Sequence, residues 1–420
     1  MVNKKYLFAE KILILFPIAL LFSNVISEIF LFTIIAIFLS DKKNIQYIFK
    51  DNIFIFLVVF SIYLIINYLI NNNSNPNIGR TFGFIRFPLF LISVAYLIKL
   101  NYVDLKKLVT FWAIFFLIIF FDLFFQSFFG FNTFGYLAIM EGNVMRLGGF
   151  MNTELKIANL INHFSMLIIG YFFLIFITKR KKKYSNIGLF FIILTLLSVF
   201  LTAERSNFLT IVFAIFLLIL FRYGIYKFIG SSLILLFLIF LFNFKYPVLV
   251  ERMIFGLSEN YAKIFKTDEK FFFKKNNKYF AHYSVAYQIF EAKPIFGNGM
   301  NNFRNDCDKN HDLYSPNVHP NHRLRMCTTH PHSFYLEILS ELGIVGFFLL
   351  VVFFLLFLVR CFSVFFKKKE NYLLLSGTIV ILCYFLPIPR GSFFTNWNAI
   401  IFWFTFGVTY SQILLIKINK

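Results

Sequence analysis

The sequence is poor in charge and poorer still in acid. Of its 420 residues only 15% are Asp, Glu, Lys or Arg, and 20 acidic side chains stand against 41 basic ones. A soluble domain carries about 25% charged residues and about 45–50% apolar ones. At 59% hydrophobic, with 66 Phe and a mean hydropathy of +0.74, this chain is not an ordinary soluble domain. The same numbers exclude intrinsic disorder, because the apolar side chains far exceed what collapse requires. No internal repeat and no pair of broken helices in matching halves is visible. No cleavable signal peptide is evident either, since the first apolar run, Ile12–Phe22, is followed by a second run and not by a small-residue cleavage site.

What is present is a succession of apolar runs of about 20 residues, each long enough to cross about 30 Å of hydrocarbon as a helix. The expected fold class is an all-α polytopic membrane protein. Twelve spans are predicted, at about 11–24, 26–40, 52–70, 81–99, 108–129, 157–178, 186–203, 207–221, 228–244, 341–360, 372–388 and 397–416. Three parts follow: nine spans over 1–244, an extramembrane loop over 245–340, and three spans over 341–420. The Phe and Ile excess reads as lipid-facing bulk without functional meaning.

A net charge of +21 would suggest nucleic acid in a soluble protein, but here the basic residues lie mostly between spans. With a cytoplasmic N-terminus, the inward segments hold 22 Lys and Arg, including the run Lys179–Lys183 and the group Lys367, Lys368 and Lys369. The short outward loops hold five: Arg80, Arg146, Lys156, Arg205 and Arg390. That imbalance satisfies the positive-inside rule and predicts both termini in the cytoplasm of a bacterial inner membrane. Most of the remaining basic residues lie in the long outward loop, which the rule exempts. Their charge asks for an anionic partner beside membrane lipid and gives no reason to expect nucleic acid.

That loop holds two of the four Cys and six of the seven His. Cys307 and Cys327 face an oxidising compartment under this topology and are candidates for a disulfide, which would close about 20 residues and stabilise the loop by about 3 kcal/mol. Cys361 and Cys383 fall in spans and read as small buried residues. His319 with His322 and His330 with His332 have spacings that invite zinc, but Pro320 and Pro331 break the regular geometry on which structural sites depend, so no metal or other cofactor is expected.

One stretch has a better-defined context. In His330–Gly346, HPHSFYLEILSELGIVG, Pro331 forbids helix before it, Ser333 can cap a helix, and Ser333, Glu337 and Glu341 recur every four residues among apolar neighbours. His332 is thereby placed at the mouth of a helix that Gly343 ends before the next span. An imidazole so positioned can take a proton from a hydroxyl near neutral pH; the bland alternative is a loop-packing His.

These residues resemble the O-antigen ligase and O-antigen polymerase superfamily of integral membrane glycosyltransferases with a GT-C-like helical fold. The ligase hallmark is His, then Asn, Ser or Gln, nine residues, Gly, two residues, and Gly, Thr or Tyr; His332, Ser333, Gly343 and Gly346 match every fixed position. KPIFGNGMNNFR (Lys293–Arg304) looks like the family's Pro-x-x-Gly-x-Gly segment, and LTAERSNF (Leu201–Phe208) resembles its Thr-x-x-Arg segment. The predicted topology agrees, so the resemblance covers nearly the whole chain.

The resemblance implies inverting, metal-independent transfer of a glycan from undecaprenyl diphosphate to a sugar hydroxyl. The acceptor would be lipid A-core for a ligase or another lipid-linked unit for a polymerase, with the ligase favoured. His332 would be the base, and Arg205 the best cation for the diphosphate, since an Arg fork binds phosphate oxygens bidentately. His330, Glu341, Arg146 and Arg304 join the expected substrate contacts. His282 does too, standing where the family usually has an Arg before the Pro-x-x-Gly-x-Gly segment; Arg323 and Arg325 are further cations in reach. Arg80 and Arg86 either line a cavity or anchor their helix. Asp122 and Gln126 either face a donor groove or bond helix to helix. A transporter or lipid-linked glycan flippase is the rival class; it would depend on cations deep in the spans, and apart from Arg86 few are there.

Overall fold

A computed structural model describes residues 4–71, 78–255, 278–367 and 371–418. Part of the predicted extramembrane loop, residues 256–277, lies outside the described residues, as do the predicted inward cations Lys368, Lys369 and Lys420. The protein is a helical bundle. Its helices are α1 (Lys4–Phe22), α2 (Asn24–Leu39), α3 (Lys42–Phe49), α4 (Asn52–Ile70), α5 (Ile78–Gly83), α6 (Arg86–Lys99), α7 (Leu105–Phe129), α8 (Ile157–Lys179), α9 (Lys182–Leu201), α10 (Arg205–Tyr223), α11 (Ile225–Lys245) and α12 (Pro247–Val250). They continue with α13 (Lys278–Ala292), α14 (Phe303–Lys309), α15 (His311–Tyr314), α16 (Phe334–Lys367), α17 (Tyr372–Cys383) and α18 (Asn396–Ile418). A two-stranded antiparallel hairpin, β1 (Ile139–Glu141) and β2 (Val144–Arg146), sits between α7 and α8.

Every predicted span falls on a helix, but among the described residues nine are long and apolar enough to cross a membrane, with α5 and α6 read as one. The other three predicted spans differ for identifiable reasons. The first is α1, which carries Lys4, Lys5, Glu10 and Lys11 in its opening turns. The second is α2, only 16 residues long and joined to α3 across a 100° bend. The eleventh is α17, which stops after 12 residues because the following segment, with Pro387 and Pro389, leaves the helix.

The interior is built from aromatic rings as much as from aliphatic side chains. Phe16, Phe90, Phe116, Phe164 and Phe404 stack or tilt against one another around Trp112, with centroids 4.7–6.2 Å apart. Phe is therefore core here as well as lipid-facing bulk, which adjusts the expectation from composition. By contrast, none of the α11 span is buried, so its side chains face whatever surrounds the bundle.

The segment between α12 and α16 has a small core of its own among its described residues. Phe303, Val285, Ala286, Ile289, Tyr314, Val318 and Met326 pack around Cys307, and Cys307 and Cys327 form a disulfide. A cluster this small gains from such a staple, which limits the freedom of the unfolded loop.

Candidate functional site

The motif residues first build a scaffold. Gly343 has φ +65° and breaks α16 into two halves, freeing backbone groups on both sides of the kink. The Pro294–Gly299 segment satisfies them: the amides of Asn298 and Gly299 donate to the carbonyls of Ser340 and Glu341 at 2.9 Å, and the amide of Ile344 donates to the Pro294 carbonyl at 2.8 Å. The two backbones lie so close that a Cβ on Gly297 or Gly343 would come within 2.2–2.7 Å of the opposite main chain. Only glycine fits at these crossing points. Two of the three sequence segments are thus halves of one joint.

The polar stripe on α16 serves the same joint. Ser333 caps the helix, its Oγ accepting from the Leu336 amide at 3.4 Å. Glu337 is buried and accepts from the Phe393 amide at 3.0 Å and from the Ser392 hydroxyl. Glu341, also buried, accepts from the amides of Asn301 at 2.6 Å and Phe303 at 3.3 Å, at the start of α14. The stripe faces protein, not water, and clamps two loops to the helix. Glu341 is not among the residues that line the cavity described next.

At one end of the bundle the helix ends enclose a cavity of about 600 Å³. Its wall is polar: Asn24, Asn159, Ser206, Asn207, Thr210, Tyr279, Thr329, Ser392, Asn396 and Asn398 supply neutral groups, Arg80, Lys156 and Arg390 supply cations, and Glu204 is the carboxylate among the lining residues. His330 and His332 both line it. His332 lies 4.2 Å from His330 and 5.4 Å from His282 between ring centroids, but His282 is not among the lining residues.

Each ring is held by main chain. Because a carbonyl can only accept, His330 Nε2 donates to the Arg390 carbonyl at 3.2 Å, and in the neutral ring Nδ1 then accepts from the Thr329 hydroxyl at 2.9 Å. By the same logic His282 Nδ1 donates to the Met326 carbonyl at 3.1 Å, one residue from the disulfide. His332 sits at φ +56°, a conformation that a non-glycine residue adopts at a cost, and its carbonyl accepts from the Arg390 amide at 2.9 Å. Burial, then the neighbouring His330 and His282, push the His332 imidazole down to about 3, and burial brings His330 down to about 4. Both rings are therefore neutral at pH 7, and an unprotonated imidazole on a polar cavity wall is a proton acceptor.

The remaining predicted contacts divide. Arg205 begins α10, next to the cavity-lining residues Glu204 and Ser206. Arg146 is taken up by Glu204 and by Glu141 at 2.7 Å, while Arg252 also reaches Glu141 at 2.9 Å. Arg304 is exposed and pairs with Asp308 at 3.6 Å, away from the cavity wall. Arg323 donates to the Val318 carbonyl at 3.3 Å, and neither it nor Arg325 lines the cavity. Arg80 does line it, whereas Arg86 is paired with Glu28 at 3.2 Å and reaches Asn396 at 2.9 Å. Asp122 accepts from the Thr133 amide and hydroxyl, and Gln126 accepts from the Gly149 amide at 2.9 Å, so both fasten the 131–151 segment to α7. Sequence reasoning missed Tyr279, Asn159, Asn207 and above all Arg390; a lone Arg in a Pro- and Gly-flanked loop, PIPRG, was the available signal. Among the described residues no group of three or more His, Cys, Asp or Glu is placed to hold a metal ion.

The fold and this cavity define a polytopic helical membrane protein with a polar, histidine-lined chamber at one end. Residues 189–351 match the family described as O-antigen ligase. All three motif segments fall inside that stretch, which spans less than half of the chain. No curated protein matches the chain.

Proposed function

We propose that this protein transfers a glycan from undecaprenyl diphosphate to a sugar hydroxyl of lipid A-core on the periplasmic face of the inner membrane. The observation that carries this reading is the placement of His332, neutral and strained, on the wall of a polar cavity that also displays fixed cations. In the step, an imidazole nitrogen of His332 takes the acceptor hydroxyl proton as that oxygen bonds to the anomeric carbon. The bond from that carbon to the diphosphate oxygen breaks, its electron pair stays on the leaving group, and cationic side chains stabilise the added charge without a metal ion. Attack from the face opposite the diphosphate inverts the anomeric centre. Asn and Ser side chains around the wall supply donors and acceptors for sugar hydroxyls.

The match to the ligase family and the complete His332–Gly346 motif favour transfer to lipid A-core over polymerisation. The test is a gel of lipopolysaccharide from cells lacking the gene, complemented with wild type or His332→Ala. Core-only lipopolysaccharide, with long glycan retained on the lipid carrier and rescued only by wild type, is the expected result. Core bearing a single repeat unit would assign a polymerase, and an unchanged ladder would remove both readings.

A further inference from the structure

The family match ends at residue 351, and part of the cavity wall lies beyond it. Arg390 comes from that part, in the segment between α17 and α18. Its Nη2 donates to Thr210 Oγ1 at 3.3 Å and to the Cys383 carbonyl, and the Tyr384 ring lies 5.1 Å from the guanidinium carbon. Its Nε is buried with no hydrogen-bond partner. These neighbours orient the group without neutralising it, and among the described residues no carboxylate forms an ion pair with it. Arg86, Arg146, Arg252 and Arg304 each have such a pair, with Glu28, with Glu141 and Glu204, with Glu141, and with Asp308. A guanidinium stays charged under any ordinary burial, so Arg390 presents a fixed positive charge to the cavity with an unspent donor; Glu204, the carboxylate in the wall, is paired with Arg146 and not with Arg390 among the described residues. A partly buried cation left that way is costly unless an anion joins it.

Its main chain adds a second constraint. The Arg390 amide holds the His332 carbonyl and the Arg390 carbonyl holds His330. One residue therefore fixes the proton acceptor and presents the cation.

We infer that Arg390 is a diphosphate-binding residue of this cavity, its guanidinium taking the phosphate oxygens of a lipid-linked sugar diphosphate. The inference rests on the transfer reading for its substrate and deepens it: the charge left on the departing diphosphate oxygen is received by a cation tied to the base through one peptide unit.

The test uses the full chain in lipid nanodiscs, with farnesyl diphosphate as probe. Inorganic diphosphate and anionic phosphatidylglycerol serve as comparison arms, separating a lipid-linked diphosphate from a free anion or a headgroup. Wild type should bind farnesyl diphosphate, and Arg390→Gln should weaken binding about tenfold or more, while Arg304→Gln, on the exposed surface, should leave it unchanged. Where Arg390→Gln fails to insert or melts early, Arg390→Lys decides, because it keeps the charge and loses the fork; a severalfold weakening is expected. Binding equal to wild type in the variant that folds overturns the inference. Preference for phosphatidylglycerol over farnesyl diphosphate overturns it as well. Loss of binding in Arg390→Gln, in a protein that transfers glycan to no acceptor, would support this site while removing the transferase reading.

Discussion

The β1–β2 hairpin and the cavity wall are both rich in arginine, and they differ in what the arginines face. Around the hairpin, Arg146 and Arg252 converge on Glu141, and Arg146 also reaches Glu204. In the wall, Arg390 faces a hydroxyl, a carbonyl and an aromatic ring. A cation already matched by carboxylates is framework: removing it leaves an unpaired acid and loosens a loop. A cation matched only by neutral dipoles is available to an incoming anion, and its removal should leave the fold and cost the ligand. Exposure alone would not separate the two groups, because Arg146 and Arg390 are both partly buried.

The largest effect that the comparison allows is at the wall's proton acceptor. His332→Ala should reduce transfer by about 10²–10⁴-fold, the usual range for a general base, with the amount of inserted protein and the Cys307–Cys327 bridge unchanged. Quantified lipopolysaccharide from complemented cells would show it, and near-normal product from a stable variant would return His332 to loop packing. Next come the cations. Arg205→Lys should lose about 10²-fold in transfer, since the charge survives and the bidentate geometry does not. Arg146→Gln should instead lower the melting temperature and leave the transfer rate per folded molecule within a few fold. Reversal of that order would break the comparison, because the paired arginine would then be the working one.

Two histidines of the wall, His330 and His332, were legible in the sequence, and the reason is local. His332 was placed by Pro331, Ser333 and Gly343, whose backbone preferences operate within a few residues; the helix start and the kink follow from those preferences. Spans were legible because hydrocarbon thickness imposes a length on apolar runs. What the sequence did not reveal depends on contacts between residues far apart. Glu341 looked like one stripe with Ser333 and Glu337 that a substrate would meet, yet its partners are amides 38 and 40 positions upstream. Arg390 looked like one more outward basic residue, and only the approach of its loop to Thr210, 180 positions away, brings it to the wall beside His332. Arg304 had the opposite fate, reading as a cation in a motif segment and lying on the surface.

The disulfide gives a smaller effect that links the two kinds of contact. Cys327 follows Met326, whose carbonyl holds His282 against His332. Cys307→Ser with Cys327→Ser should destabilise the unit built around the disulfide by about 3 kcal/mol, seen as faster limited proteolysis within 278–330. Transfer should fall by only a few fold, because Arg390 still holds His332 and His330 through their main-chain and ring contacts. A fall as deep as that of His332→Ala would mean that the unit, and not the Arg390 loop, positions the base.

The smallest expected change is in the pH profile, and it separates a half-buried wall histidine from an exposed loop histidine. A base with the ordinary imidazole value near 6.5 is about nine-tenths protonated at pH 5.5, so its transfer rate would fall about tenfold between pH 7.5 and 5.5. Burial and the neighbouring His330 and His282 hold His332 down to about 3, with Lys278 acting in the same direction and the Arg390 carbonyl against it. A depressed value keeps the ring proton-free as the pH falls, so kcat/KM, which reports the free enzyme, should change less than about twofold over that interval. Bound diphosphate brings negative charge beside the ring and favours its protonated form. The acid limb of kcat should therefore lie at higher pH than that of kcat/KM. In Arg390→Gln the bound anion is held less firmly, so the two limbs should draw together; limbs that stay apart would show that another cation of the wall holds the diphosphate next to the base.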